Sequence, residues 1–431
     1  VVGQSSSDIP GLPSYEPFWW SSDTGMLGMM NLLGISTPEY GWHEARAVSG
    51  DGSVVVVLGS YLGNRWTFGP YGLTADTVPL DPYYTFDISD DGQVIVGAVN
   101  ANDILQAALW SEQTGVIVLG LLNPGDLQSE ARAVSGDGMV VTGCNHRPVP
   151  PDDPVGSDSA GFVWAPETGM VELNGLPTDG RFNVIPKDIS QDGARIVGEV
   201  WEYFIGVDPQ TGEPLITAQP QAFLWTAESG LCRLGFPAGA GGSQGLAISG
   251  DGTALGGRIG SVDAFLWHED LGLAELKPLI ADLGCSAVSS WHDLGAVSGL
   301  SADGTLVCGW GINAESRPEA WVANIADLYL RVESIDLNLK LVKGSAQATA
   351  IVLVKDLAGN PASGALVTAH WSGSAQGTVQ GTTDRNGKVK FTSAKVKSAT
   401  EFTLTVDDVS KALRVHDSYR DLETSETIWV E

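Results

Sequence analysis

The chain has 431 residues, 43% of them hydrophobic, with 54 Gly and 14 Trp. That length suits two to three domains, and that composition suits many short strands with tight turns rather than long helices. The net charge is -29 and lies wholly in residues 1–330, which hold 11 basic and 40 acidic groups against 12 and 12 in residues 331–431; such a surface repels nucleic acid and anionic lipid.

No stretch reaches 18 uninterrupted apolar residues, so no membrane span is expected. The start, Val1-Val2-Gly3, has the look of a processed end. Cys144, Cys232, Cys285 and Cys308 form no Cys-x-x-Cys pair, which argues against zinc and redox motifs. If one bridge forms, Cys285 with Cys308 is the expected pair, because both belong to the last repeat; free buried thiols are the alternative.

In chain order, one unit repeats about every 45 residues, the signature of a repeat architecture. Phe18-Trp19-Trp20 leads into Ser21-Ser22-Asp23-Thr24-Gly25. Ala107 to Trp110 leads to Gly115, Gly161 to Trp164 to Gly169, Ala222 to Trp225 to Gly230, and Ala264 to Trp267 to Gly272. Arg65-Trp66-Thr67-Phe68 is a divergent copy, and a weaker one ends at Trp321. A second motif interleaves with it: Ala47-Val48-Ser49-Gly50-Asp51-Gly52, then a Val-rich strand. It recurs around Asp91-Gly92, Asp137-Gly138, Asp192-Gly193, Asp251-Gly252 and Asp303-Gly304. Asp-Gly between apolar runs is a strong hairpin signal, because the turn needs positive φ.

Each unit thus reads as four short antiparallel strands, a propeller blade, with the repeated Trp suited to fill the wedge between blades. The Val-Val-Gly strand occurs seven times if Val1–Gly3 is included, but the Ile-Ser strand only six times. The expectation is an all-β chain: residues 1–328 a seven-bladed β-propeller, residues 335–431 a small β-sandwich. A six-bladed ring is the alternative, and residues 325–332 are candidates for closing strands. Asp-Gly and Thr-Gly turns share one rim, while long connections, among them residues 145–160 and 201–221, gather on the other. Function concentrates in such loops.

The first 325 residues resemble the HAF-type bacterial extracellular repeat family. Ala222 to Trp225, Gly230, Leu234-Gly235, Ile248-Ser249 and Asp251-Gly252 follow its unit. The resemblance implies an exported or cell-surface protein and brings no catalytic residues. Residues 335–415 are similar to bacterial Ig-like domains of the invasin or adhesin kind, through Asp356, Gly359-Asn360-Pro361, Gly364, Val367, Thr383-Asp384, Gly387 and Phe391. That implies a spacer or stalk. Ser21 to Gly25 resembles the Asp-box turn of sialidase-like propellers, which implies a scaffold role.

The candidate ligand-binding residues are Tyr40, Trp42 and His43, Trp201 and Tyr203, and Trp291 and His292. A Trp-His-acid triplet can stack on a sugar ring and bond its hydroxyls, or can be a packing feature of the repeat. Asp152, Asp153 and Asp158 form the candidate calcium loop, with a solvated acidic loop as the alternative. No nucleophile or metal constellation marks a catalytic centre. The sequence therefore reads as an exported non-catalytic module that binds glycan or a surface or matrix protein. Its alternatives are a self-assembling structural subunit and a glycoside hydrolase or polysaccharide lyase, which needs paired carboxylates.

Overall fold

The computed structural model describes residues 1–6, 15–34, 43–59, 64–69, 72–81, 84–151, 153, 155–177, 181–207, 214–261 and 263–430. It is all-β and divides into two compact units. Unit one is Val1–Leu266 with His292–Gly304 and Cys308–Trp321; unit two is Trp267–Trp291 with Thr305–Val307 and Val322–Glu431.

Seven small antiparallel sheets follow one another along the chain. The first has three strands, β1 (Val2–Ser6), β2 (Tyr15–Ser21) and β3 (Gly25–Gly28), followed by helix α1 (Met29–Leu32). The second has β4 (His43–Val48), β5 (Val54–Gly59), β6 (Arg65–Gly69) and β7 (Gly72–Asp76). The third has β8 (Thr85–Ile88), β9 (Val94–Ala101), β10 (Ile104–Ser111) and β11 (Gly115–Gly120). The fourth has β12 (Gln128–Val134), β13 (Val141–His146), β14 (Ser159–Ala165) and β15 (Gly169–Glu172). The fifth has β16 (Arg181–Ile189), β17 (Arg195–Val207), β18 (Pro214–Thr226) and β19 (Gly230–Arg233). The sixth has β20 (Ser243–Ile248), β21 (Ala254–Ile259), β22 (Asp263–His268) and β23 (Gly272–Glu275). The seventh has three strands, β24 (Asp293–Leu300), β25 (Leu306–Ile312) and β26 (Pro318–Asn324).

The repeat register is uniform. Trp66, Trp110, Trp164 and Trp225 pair with Val55, Ile95, Val141 and Ile196, each three residues after its turn glycine. Trp20 and Val1 exchange backbone hydrogen bonds in the same way. Val1–Gly3 is therefore a true copy of the Val-Val-Gly strand.

Successive sheets bury their faces against each other. Val55 and Val57 join Trp66 and the first-sheet residues Val2 and Trp19 in one cluster. Val54 and Val56, on the opposite face of β5, join Ile88, Ile95 and Ala108 in the next. Two-sided burial is why these strands read as unbroken apolar runs. The wedge is filled by Trp in some sheets and Phe in others: Trp66 is fully buried and Trp225 and Trp321 nearly so, while Phe162, Phe223 and Phe265 are fully buried and Trp110, Trp164 and Trp267 are half-exposed. The Phe rings lie on the glycine of the second strand, where a Cβ on Gly143, Gly198 or Gly257 would come within 2.8, 2.9 and 2.8 Å of the ring.

The Ser-x-Asp-Gly turn is one device used six times. Ser135 Oγ donates to Asp137 Oδ1 at 2.7 Å, Met139 N–H donates to the same oxygen at 3.0 Å, and Val140 N–H donates to Ser135 Oγ at 2.9 Å. Gly138 closes the turn at φ 75°, in the left-handed region that glycine enters without steric cost. The turns are also joined to each other around one rim. Gly50 N–H donates to Asp90 O, Asp90 to Gly136, Gly136 to Gln191 and Gln191 to Gly250, while Asp251 N–H donates to Ala302 O, all at 2.8–3.1 Å.

The opposite rim carries the variable connections, with qualifications. Residues 102–103 and 313–317 are short hairpin loops there. Residues 201–207 and 214–221 are strand rather than loop: β17 and β18 stay paired from Arg195↔Thr226 out to Val207↔Pro214, forming a two-stranded arm. Apolar and β-branched residues on both strands favour continued pairing there.

In unit two, β27 (Tyr329–Val342), β28 (Ser345–Asp356), β31 (Lys388–Thr392), β32 (Val396–Lys397) and β34 (Val415–His416) make one sheet. The other contains β29 (Leu366–Gly373), β30 (Gly377–Thr382), β33 (Glu401–Ser410) and β35 (Ser425–Trp429). The two share one core, including Val352, Val354, Val367, Trp371, Phe391 and Phe402. Alternation of buried and exposed residues along β28 and β33 explains the Lys and Thr on their wet faces. Residues 329–332 open β27 rather than close a propeller sheet, because Leu330 and Val332 belong to this core. Unit two also holds helix α2 (Leu276–Asp282), which buries Leu276, Leu279 and Ile280. No helix among the described residues is long and apolar enough to cross a membrane.

Candidate functional site

Of the described residues singled out from the sequence, His43 lies in the second sheet, Trp201 and Tyr203 in the fifth, and Trp291 and His292 just before β24. Tyr40, Trp42 and Asp152 lie outside the described residues. His43 opens β4 in the second sheet, 1% exposed, with its ring 6.0 Å from that of Trp66. It packs inside rather than standing on a rim. Trp201 and Tyr203 lie on β17 in the fifth sheet, and Tyr203 Oη accepts Asn183 Nδ2 at 3.1 Å. Trp291 is half-buried and its carbonyl accepts Lys277 Nζ at 2.6 Å. His292 is exposed, with Nε2 at 3.4 Å from Ser316 Oγ.

The acidic loop is charge-paired. Asp153 Oδ2 lies 3.1 Å from Arg181, and its Oδ1 accepts the backbone N–H of Val155 at 2.9 Å. Asp158 lies 3.7 Å from Arg181 and 3.9 Å from Arg147. Two guanidiniums thus lie within 4 Å of the described carboxylates of this loop. Among the described residues no group of three or more His, Cys, Asp or Glu is placed to hold a metal. All four cysteines are free thiols: Cys285 is exposed, and Cys308 is half-buried near the Val1 amine. The expected bridge is absent.

A different constellation stands on sheets four to six, and its geometry begins with a repeated β-bulge. The first strand slips register opposite the glycine of the second strand. The slip falls between Ala131 and Ala133, between Pro186 and Asp188, and between Gly245 and Ala247. A bulge leaves one residue unpaired and re-aims its side chain. Here those residues are Arg132, Lys187 and Leu246. The residue just after each facing glycine is Cys144, Glu199 or Arg258.

These positions join into a polar belt. Arg132 Nε donates to Glu130 Oε1 at 2.9 Å. Lys187 Nζ sits 3.0 Å from Glu199 Oε1. Gln244 donates to the other oxygen of Glu199, and Arg258 Nε donates to Gln244 Oε1. Glu130 and Glu199 are each 5% exposed, while Arg132, Lys187, Gln244 and Arg258 are half-buried. The charge of Glu199 also reaches Arg132, which links sheets four and five. Phe86 lies beneath Arg132, its ring centroid 5.7 Å from the guanidinium.

Burial alone would raise the Glu130 carboxyl, but the His146 hydrogen bond and Arg132 outweigh it and hold it below the usual range. Burial pushes the Cys144 thiol up to about 12, so it is no nucleophile at neutral pH. Both carboxylates are engaged by cations, and the accessible groups are planar or ammonium donors. Such an arrangement offers hydrogen bonds to a neutral, hydroxyl-rich or amide-rich ligand. Along β17 alternation places Trp201 on the same face as Glu199, so one predicted aromatic adjoins the belt.

Two more carboxylates lie further along the first strands, just past the bulges. Asp87 Oδ2 accepts Val134 N–H and Asp188 Oδ2 accepts Ile248 N–H, each at 2.9 Å and each from the next sheet. Burial pushes Asp87 up to about 6; burial, with the charge of Asp87 added, pushes Asp188 up to about 7. Near the ring of turns, Asp90 is raised by burial against a hydrogen bond from Gln191.

The belt was missed because its members are scattered over 128 positions, from Glu130 to Arg258. Aligning repeats on the second-strand glycine would have found two of its six members, since Glu199 and Arg258 follow Gly198 and Gly257 directly.

No protein-family model and no curated protein matches the chain. Solved structures similar to it include a putative TolB from Agrobacterium tumefaciens, with TM-score 0.37 and 17% identity over 71% of this chain and 96% of that one. Hydrazine synthase from Kuenenia stuttgartiensis gives TM-score 0.39 and 14% identity over 74% and 97%. An oligogalacturonate lyase in complex with manganese gives 0.39 and 14% over 72% and 81%. These likenesses are too weak to carry any inference about activity.

Proposed function

We propose that this chain is a non-catalytic binding module of the cell surface or extracellular space. In this reading its seven sheets form a seven-bladed β-propeller, and its second unit is an Ig-like stalk of the adhesin kind. The ligand is a glycan, or failing that a surface protein, taken at the rim of long connections above sheets four to six. The polar belt of Glu130, Arg132, Lys187, Glu199, Gln244 and Arg258 carries this reading, because its carboxylates are already neutralised and its donors remain accessible. The HAF-type repeat and the neutral charge of residues 331–431 support the assignment of location and stalk.

Screening on a glycan array, then calorimetry with the best binder, tests it. Arg258→Ala, Lys187→Ala and Trp201→Ala are each expected to weaken binding about tenfold or more, the effect of losing one charge-assisted bond or one aromatic platform. Release of reducing ends from the bound glycan would overturn the non-catalytic reading.

A second reading, a self-assembling subunit, is favoured by the β17–β18 arm, where Phe204, Ile205, Leu215 and Ile216 are 49, 54, 50 and 36% exposed. Sedimentation of the chain beside Ile205→Ser/Ile216→Ser separates the two. Large assemblies that the double variant dissolves would favour it.

A further inference from the structure

The polar belt holds one cation more than its carboxylates engage. Lys187 lies 3.0 Å from Glu199 Oε1, Gln244 donates to the other oxygen of Glu199, and Arg258 Nε donates to Gln244 Oε1. A carboxylate only accepts, so Glu199 fixes the Gln244 amide with its NH2 group inward and its oxygen toward Arg258. One carboxylate thus serves two cations, and what faces Arg258 is a neutral carbonyl oxygen.

The other basic side chains around this region are neutralised directly. On or beside sheets four to six, Arg132, Arg147, Arg181, Lys187 and Arg233 meet Glu130, Glu172, Asp153, Glu199 and Glu202 at 2.9, 2.6, 3.1, 3.0 and 2.6 Å. Arg195 stands at the turns instead, donating to Gly252 O at 2.7 Å. Among the described residues Arg258 meets no carboxylate. The repeat shows how one could have been supplied. Gln244 stands opposite Arg258 in the register that Glu130 holds opposite Cys144, and Glu130 is the carboxylate that binds Arg132. In residues 1–330, with 40 acidic groups against 11 basic ones, a cation left beside an amide stands out.

Arg258 is also held in place. It is half-buried, and alternation puts it on the same face of β21 as Gly256, where an added Cβ would come 2.3 Å from Val297 of the seventh sheet. The stem is flanked by that sheet and the head is oriented through Nε by Gln244. The two terminal nitrogens remain as donors in one plane.

We propose, on the reading that the belt is the glycan site, that its ligand is an acidic glycan with an isolated carboxylate or sulfate ester, and that Arg258 receives this anion. A guanidinium presents two parallel N–H groups that match two oxygens of either group. The surrounding body limits how much charge the ligand carries. Residues 1–330 hold the whole net charge of -29, and its field repels a polyanion at long range. The acidic group therefore sits among neutral sugars, whose hydroxyls bond the rest of the belt.

The test uses the full chain on an array where each acidic glycan is printed beside its carboxyl-reduced or desulfated counterpart, followed by calorimetry on the best pair. The acidic member should bind about tenfold tighter or more, with a preference that shrinks as salt is raised. The carboxylate and sulfate arms show which anion is taken. A polymer charged at every sugar should bind more weakly than a glycan with one acidic group. Arg258→Gln should bring the ratio within the pair to about one, and Arg258→Lys should restore part of it. Gln244→Glu should abolish the ratio as well, by giving the guanidinium a partner within the chain. These variants act from opposite sides of one contact, so either decides the matter if melting shows the other misfolded. Equal binding of both members, tighter binding of the fully charged polymer, or a preference that survives both Arg258→Gln and Gln244→Glu overturns the proposal and leaves the glycan-binding reading standing. Binding of no glycan at all overturns both.

Discussion

Asp188 accepts the backbone N–H of Ile248 at 2.9 Å across the boundary between the fifth and sixth sheets. It does so with burial and the charge of Asp87 lifting its pKa to about 7, from 3.8 for an ordinary aspartate. Asp87, lifted by burial to about 6, has Asp90 as a further acidic neighbour. The folded chain therefore holds protons that the unfolded chain releases near pH 3.8. Stability from these two groups is complete below that pH and is lost as pH rises through about 6 and about 7. Urea midpoints should fall between pH 5 and pH 8. Asp188→Asn, which keeps an oxygen for Ile248, should flatten the upper part of that fall and gain about 1–2 kcal/mol at pH 8. A midpoint equally pH-dependent in the variant would contradict this account.

The second-strand glycines should be among the least replaceable residues. Gly143→Ala puts a methyl 2.0 Å from the Glu130 carbonyl and 2.8 Å from Phe162. The expected cost is about 3 kcal/mol or more, since backbone must move. Gly115→Ala meets no atom within 4 Å but holds φ 66°, so its cost should be only about 1 kcal/mol. Guanidinium denaturation of the two variants compares the mechanisms, and equal losses would mean that crowding is not what the glycine relieves.

The turn aspartates behave oppositely to Asp188 with pH. Hydrogen bonds from Ser135 and Met139 hold the Asp137 carboxyl below its ordinary range. Its contribution is present above pH 3.8 and disappears as acid protonates the folded carboxylate. Asp137→Ala should cost about 1 kcal/mol at pH 7, the exposed carboxylate being screened by water. The gap from the parent chain should close below about pH 3. A gap that persists in acid would assign the loss to backbone preference instead.

In unit two, His416 lies between Asp421 at 3.1 Å and Asp408 at 3.7 Å. Burial pulls its pKa down, but the two carboxylates outweigh burial and leave it above 6.5. Stability from this contact is whole below pH 6.5 and declines as pH rises through the raised value. Proton NMR of the His416 ring should titrate above 6.5, and Asp421→Asn should bring that value down. No change on that substitution would mean that the Asp421 charge does not reach the ring.

What could be read from the sequence was what the repeat states locally. The Trp register, the Asp-Gly turns and the copy hidden in Val1–Gly3 follow from short patterns whose physics is complete within one sheet. The turns Asp356 to Pro361 and Asp384 to Gly387 were legible for the same reason, since Asn360 and Lys388 N–H groups bond to Asp356 and Asp384 nearby. Thr427 to Val430 allowed more than one reading, an edge strand or a contact, and residues Ser425–Trp429 pair with β33.

The rest depended on how one sheet meets the next. Phe162 and Trp164 are equally apolar on paper, and only stacking decides that the first fills the wedge. Trp201 to Phe204 reads as a loop when Asp-Gly spacing is used to end the strand, yet pairing simply continues to Val207. Arg132 and Lys187 look like ordinary surface cations until the bulge aims them at Glu130 and Glu199. Arg147 and Arg181 are likewise 34 positions apart in the chain, so their neutralisation of Asp153 and Asp158 could not be foreseen.

The turns are linked by main-chain atoms, through the residue between Ser and Asp in four of the five links and through Asp251 N–H in the fifth, and that residue is Gly, Asp, Gly, Gln, Gly and Ala in the six copies. Space there is tight: a Cβ on Gly136 would come 2.7 Å from Asp90 Oδ2, and one on Gly250 2.9 Å from the Ala302 Cα. Each turn thus restricts what its neighbour can accept, and a change at one of these glycines has to be absorbed by two turns at once.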